Sequence, residues 1–485
     1  MGSSLTTPLL LHRELGRYLA LQRIQLGHAD EQGLFVISQI GANGPPRLLL
    51  INPALARAGR RRFGVAGLAT MEPLGLACVA ALTPRHWHIR LADEVVEEIP
   101  GDFLPDLVGI TSLTPTAPRT YEIAAGFRAQ GVPVVMGGMH ATFCPDEAGR
   151  YVDTVVCGEA EHIWPQVLSD FESGGMRDHY EGTKADLSGL PLPRRDLYRH
   201  RYRVTLVSAS RGCRNRCEFC SIWKYEGGRF RARPIPEILE ELPQLPRTPI
   251  TLFTDDNVMC DRDHSLELFR AMAERGLQRR HAVQASLDIA EDDEFMHVLK
   301  ASGCFAILVG FESVSEATLR KMRKAVNLRV GVDQYPDRIE RVHRHGLMVA
   351  GTFIFGNDGD GTDIFKRTAQ FVLDAGVDLA HFGLLLPMPG TDLCDRLVQE
   401  GCLLLSDFPH DYSLLDLTHA TFVPQAMTPE ALEIGLAEAT DAIGRWPAAL
   451  RRALYTWRNT GSFGAAAISL AWTRTGLHKR VLGVR

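Results

Sequence analysis

"RVTLVSASRGCRNRCEFCSIW", residues 203–223, carries two signals in succession: an apolar, β-branched run, then Cys213, Cys217 and Cys220 within eight residues. The run reads as a strand that the Ser-Arg-Gly stretch closes. The cysteines therefore fall at a strand's carboxyl end, where parallel βα units gather their ligand groups. Thiolates are soft ligands that select zinc, copper(I) or iron–sulfur clusters, and a closed structural zinc site needs a fourth Cys or His. The nearest downstream candidates, Cys260 and His264, lie about forty residues on, at the end of a different strand, and fit a zinc knuckle poorly. A [4Fe–4S] cluster held by three cysteines leaves one iron open to an amine and a carboxylate. The plainer alternative is three buried or zinc-binding cysteines.

Outward from this loop the alternation continues. "PITLFTDDN", "HAVQASLD", "CFAILVGFES", "LMVAGTFIFGN" and "LAHFGLLLPMPGT" are strand candidates, each followed by a helical stretch. Together with the opening run they make six consecutive βα units, which fit a partial (β/α)6 barrel over residues 201–400. Upstream, "RLLLIN", "WHIRLAD", "DLVGIT", "VPVVMGG" and "VDTVVCGE" alternate with helices such as "PLGLACVAAL", predicting a doubly wound parallel sheet over 45–175. The Gly-, Pro- and charge-rich stretch "GTKADLSGLPLPRRDLYRHR" reads as a linker, set at 176–200. Residues 1–44 form an N-terminal extension. Residues 401–485 read as a helical region expected to close over the substrate. Its end alternates Arg474, His478, Lys479, Arg480 and Arg485 with Trp472, Leu477, Val481 and Leu482, a basic amphipathic tail suited to a membrane surface or to packing on the barrel.

A chain of 485 residues accommodates two or three cores. The formal net charge of −5 removes the electrostatic footprint of a nucleic-acid binder, despite the local cluster Arg60-Arg61-Arg62, which reads as a solvated loop. No apolar run is long enough to span a bilayer. The start lacks the features of a secretory signal, so the chain reads as cytoplasmic. Its ten cysteines are scattered except for the trio, and the rest read as small buried hydrophobes.

Cys213, Cys217 and Cys220, with Phe219 before the last, resemble the C-x-x-x-C-x-aromatic-C signature of radical S-adenosylmethionine (SAM) enzymes, placed after the first strand of a six-unit array. The resemblance implies that the three cysteines bind a [4Fe–4S] cluster. It places SAM against Phe219, Asp255, Asp256, Ser286, Asp288 and Glu312. "GTFIFG" and "PMPGT" are similar to the family's fifth- and sixth-strand segments. For Asp255 or Asp288 a helix N-cap is an equal alternative.

The upstream domain, with "INP", "MEPLGLACVAAL", "GGMHATFCPDEA" and "CGEAEHIW", resembles the cobalamin-binding domain of the B12-dependent radical SAM class, over about residues 45 to 400. The resemblance implies cobalamin contacts from Thr111, Ser112, Leu113, Gly137, Gly138, His140, Gly158 and Glu159. The D-x-H-x-x-G motif of a lower histidine ligand is absent, and His140 is expected to order its loop or touch a cofactor edge.

The activity implied is methylation of an unactivated carbon in a small organic or lipid-like substrate, through a 5′-deoxyadenosyl radical and methylcobalamin, with an external flavodoxin- or ferredoxin-like electron donor. The alternatives are a radical cyclisation, rearrangement or other SAM-group transfer with a vestigial B12 domain, or a non-catalytic metal-binding interaction protein.

Overall fold

The first parallel sheet is assembled from β1 (Arg47–Asn52), β2 (His88–Asp93), β3 (Leu107–Thr111), β4 (Val134–Gly137), β5 (Thr154–Cys157) and β6 (His179–Glu181), hydrogen-bonded in the order β2-β1-β3-β4-β5-β6. The computed structural model describes residues 44–55 and 70–474, the last two without side chains. Almost all of the N-terminal extension, the Arg60–Arg62 cluster, the Arg474 side chain and the tail from residue 475 lie outside the described residues.

Strands buried on both faces are apolar throughout, and β1 shows why. Leu49 and Ile51 pack with Tyr121 and Met136 on one face, while Leu48 and Leu50 pack with Leu76 and Trp164 on the other. Because the chain passes from β2 over β1 to β3, the strand order reverses between β1 and β3. That reversal opens a crevice at the carboxyl edge.

The second sheet runs β7 (Val204–Val207), β10 (Ile250–Phe253), β11 (His281–Ala285), β12 (Cys304–Glu312), β13 (Met348–Phe355) and β14 (Leu379–Leu384) in sequential order, every pair parallel. β7 and β14 are not paired, so the barrel is partial, as expected. A two-stranded antiparallel clasp of β8 (Ser210–Arg211) and β9 (Arg231–Ala232) ties off the cysteine loop at its base.

Three features differ from the sequence expectation. The first sheet continues into the expected linker: β6 pairs with β5 although "HYE" offers no apolar run, because hydrogen bonding to an existing edge needs only extended backbone. The linker is also pinned, since Arg195 bridges the buried Glu72 and Glu241 at 2.8 Å each. Finally, the C-terminal region, expected to close over the substrate, sends its last described helix to the opposite end of the barrel. Ala465, in helix Phe463–Arg474, packs with Ala282, Ala306 and Met348 near the strands' amino ends, and Trp472 Nε1 donates to the Ala380 carbonyl. An open barrel end lined by alanines and methionine has apolar area to bury, and this helix floors it. Residues 405–415 instead reach the first sheet, where Leu405, Tyr412 and Leu415 join its core.

Candidate functional site

The cysteine loop leaves β8 through Gly212, whose φ of +95° a side chain would resist. The Gly212 N–H donates to the Asp256 carboxylate at 2.9 Å, which fixes the loop to the end of β10. Cys217 is buried, and Cys213 and Cys220 are half-buried. Burial pushes the Cys217 thiol up to about 11 and raises that of Cys220. Cys213 behaves oppositely, because a hydrogen bond from Cys260 lowers its pKa. Three thiols on one clasped loop are a donor set for three irons of a cubane, with its fourth corner left open.

Across from them, β12 ends in a bulge. The register with β13 shifts between Gly310 and Glu312, and Glu312 adopts φ +62° at 6% exposure. A bulge re-aims a side chain, and a left-handed non-glycine residue costs of order 1–3 kcal/mol. The turn brings the carboxylate back over Gly310, where any Cβ would collide with Glu312 Oε1. Lys324 Nζ meets that oxygen at 2.7 Å and lies 5.9 Å from the centre of the Phe219 ring. Burial alone would lower the lysine's pKa, but Glu312 and the thiols of Cys217 and Cys220 raise it. This cation beside the cysteines was not singled out from sequence. Its only local signal is a lysine in "MRKAV", twelve residues after Glu312.

The other strand-end residues divide by role. Asp255 is 3% exposed and accepts from the Ser210 hydroxyl and the Ala209 N–H, so it laces the end of β10 to the start of the clasp strand β8; burial pushes it up to about 6. Ser286 donates to Asp288 at 2.5 Å, and its N–H donates to Asn257 at 3.1 Å, joining the ends of β11 and β10. Neither Asp255 nor Asp288 caps a helix through its side chain. Phe219 packs against the barrel core.

Between the two sheets' carboxyl edges lies a cavity of about 640 Å³. On one side it is lined by Thr111, Leu113, Gly137, Gly138, Gly158 and Glu159, and on the other by Ser208, Arg211, Thr254 and Asp256. It continues under the sheet past Gly109, Leu50 and Trp164. Glycines let backbone approach a bulky ligand, and here Gly138 is obligatory: at φ +99°, its Cβ would sit 2.7 Å from the Ser112 carbonyl oxygen.

Two of the expected cobalamin contacts are not on the cavity wall. Ser112 is buried and bonds Thr120, Thr116 and the Leu113 carbonyl. His140 is fully buried on the opposite face, bonded to Tyr121 and Thr114 and 3.4 Å from Glu147. It orders the loop, since its ring turns into the core between the sheet and residues 410–414. Glu159 reaches the wall with its carboxylate already engaged. Burial would raise its pKa, but Arg231, the Ala185 N–H and Arg211 together bring it down to about 2. The clamp of Glu159 on Arg231 and Arg211 joins the first sheet to the clasp beneath the cysteines.

Comparison with known proteins meets this geometry at both halves. Residues 207–372 match the Radical SAM superfamily and residues 66–168 match the B12 binding domain. The bacteriochlorophyllide d C-12(1)-methyltransferase of Chlorobaculum tepidum is 30% identical over 381 residues, covering 75% of this chain and 80% of that protein. The chain belongs to the B12-binding radical SAM family. It is similar as well to the hopanoid C-2 methylase of Rhodopseudomonas palustris, at 26% identity over 71% of this chain and 69% of that one. Among solved structures, the radical SAM methyltransferase TsrM of Kitasatospora setae shares the fold with a TM-score of 0.59 at 18% identity, covering 73% of this chain and 76% of that one. As a member of this family the protein is an enzyme using a [4Fe–4S] cluster, SAM and cobalamin. No helix among the described residues is long and apolar enough to cross a membrane.

Proposed function

We propose that this protein is a C-methyltransferase that places a methyl group on an unactivated carbon of a large, mostly apolar substrate of the tetrapyrrole or polycyclic-lipid type. The observation that carries the reading is a cavity walled by the first sheet's glycine-rich edge and by the barrel end from which the cysteine loop departs. Arg211 and Asp256 on its barrel wall stand at the base of the cysteine loop, so a corrinoid held against the glycines would lie beside the cluster site. When bound, the cofactors supply one-electron cleavage of SAM and a transferable methyl group, the hard chemistry that no side chain here provides.

The chain's own residues bind and orient. Cys213, Cys217 and Cys220 serve as the three cluster ligands. Glu312, held by Lys324, and Asp256, Ser286 and Asp288 line the strand ends where SAM would lie. Thr111, Leu113, Gly137, Gly138 and Gly158 form the cobalamin wall. His140 would not hold the corrinoid, since its ring is spent in the core on Tyr121 and Thr114. Similarity to enzymes named for bacteriochlorophyllide and hopanoid methylation supports an apolar substrate of that size. A flavodoxin- or ferredoxin-like protein would supply the electron.

The test is anaerobic turnover with reductant, SAM and either a chlorin or a hopanoid. S-adenosylhomocysteine and 5′-deoxyadenosine formed together, with a substrate 14 mass units heavier (about one CH₂, from the methyl-for-hydrogen exchange), are expected. Deoxyadenosine with no S-adenosylhomocysteine would refute methylation in favour of a radical cyclisation or rearrangement.

A further inference from the structure

Cys260 lies in the turn Val258–Asp261 after β10, far from the cysteine loop in sequence, yet its Sγ stands 3.9 Å from Cys213 Sγ. It is 7% exposed, so water does not compete for its proton. The Arg214 backbone N–H donates to Cys260 Sγ at 3.4 Å. That N–H uses one sulfur lone pair, and the freely rotating S–H has Cys213 Sγ within reach. A second donor, Asn215 Nδ2, approaches Cys213 Sγ at 3.6 Å.

Two other roles fit less well. Terminal thiolates on two irons of a cubane would diverge along its diagonals, so only one sulfur of a pair this close can be a terminal ligand. A single tetrahedral metal with metal–sulfur bonds of about 2.3 Å would set two sulfurs about 3.8 Å apart, but it needs further donors. Among the described residues the one group of three ligand atoms all within 4.8 Å of one another, as a single ion needs, is Cys157, His179 and Glu181, elsewhere in the fold.

We propose that Cys260 is a positioning residue for the iron–sulfur cluster, its thiol donating a hydrogen bond to the sulfur of the ligand Cys213. This rests on the reading of Cys213 as a cluster ligand. A hydrogen bond withdraws electron density from the ligating sulfur, so it favours the reduced, more negative cluster and raises the potential. Donation to a charged sulfur is stronger than donation between neutral groups, and the Arg214 N–H polarises the chain further.

The experiment compares wild type, Cys260→Ala and Cys260→Ser, each reconstituted anaerobically. Iron is counted, and the midpoint potential of the cluster is measured by EPR-monitored titration without SAM. Equal iron in all three is expected, with the alanine variant's midpoint moved to a more negative value and the serine variant, whose hydroxyl still donates, returned toward wild type. Unshifted midpoints, or a more positive one in the alanine variant, overturn the proposal. So does iron lost from Cys260→Ala with unchanged circular dichroism, which makes Cys260 a ligand. A wild type that takes up no iron overturns the assignment of Cys213 itself, and a bound cluster with unshifted midpoints overturns only the hydrogen bond.

Discussion

Replacing Lys324 by methionine isolates the buried ion pair at the end of β12. The pair is 2.7 Å long, with side chains 14% and 6% exposed. At an effective dielectric of 20, two unit charges at that separation attract by about 6 kcal/mol. Desolvation offsets much of this, yet removing one partner leaves Glu312 buried and unpaired, a loss of about 3–5 kcal/mol. Removing both charges leaves nothing uncompensated, so Lys324→Met with Glu312→Gln should be far less destabilised than Lys324→Met alone. The assay is urea unfolding of cluster-free protein, followed by circular dichroism. With a slope of about 3 kcal/mol per molar, the single variant's midpoint should fall by roughly 1 M or more. The double variant should recover most of that. A single variant within about 0.5 kcal/mol of the double would refute the argument, because distant or uncoupled sites add to that tolerance.

Three further outcomes follow from the geometry. Gly109→Val introduces a branched side chain whose Cβ already meets Leu50 at 2.7 Å and Trp164 at 3.5 Å, filling the cavity under the sheet; bound corrinoid absorbance should fall with iron content unchanged. Asp255, raised to about 6 from 3.8 by burial, binds its proton more tightly folded than unfolded. Its contribution is most favourable below 3.8 and is lost as pH rises to 6, about 3 kcal/mol for such a shift; Asp255→Asn should flatten the stability profile between pH 4 and 6, read by thermal unfolding. Arg231→Met leaves Glu159 paired with Arg211 and Glu226 paired with Lys184; limited proteolysis should cut the 211–231 loop faster, at a cost of about 1.5–3 kcal/mol in stability.

Sequence by itself determined the strand and helix alternation, the six barrel units and the thiol trio, because each is a local pattern: an apolar run, a turn, a spacing of three and four residues. It also placed Glu312 at a strand end, and the structure adds the bulge that turns its carboxylate back. What only the tertiary structure decided depends on contacts between residues far apart in the chain. Lys324 reaches Glu312 because the β12 bulge and Gly310 leave room for it, and the same packing puts Cys260 against Cys213. For His140 the sequence leaves two roles open, ordering its loop or touching a cofactor edge, and the fold takes the first: the ring turns to the other face of the sheet, where Tyr121 and Glu147 hold it. Within the C-terminal region, expected as a whole to close over the substrate, the helix Phe463–Arg474 floors the barrel instead, because alanines at the amino ends of the strands leave apolar area there to cover. Local spacing names the residues that can bind a ligand, but register and burial choose which of them face it, since those depend on every strand at once.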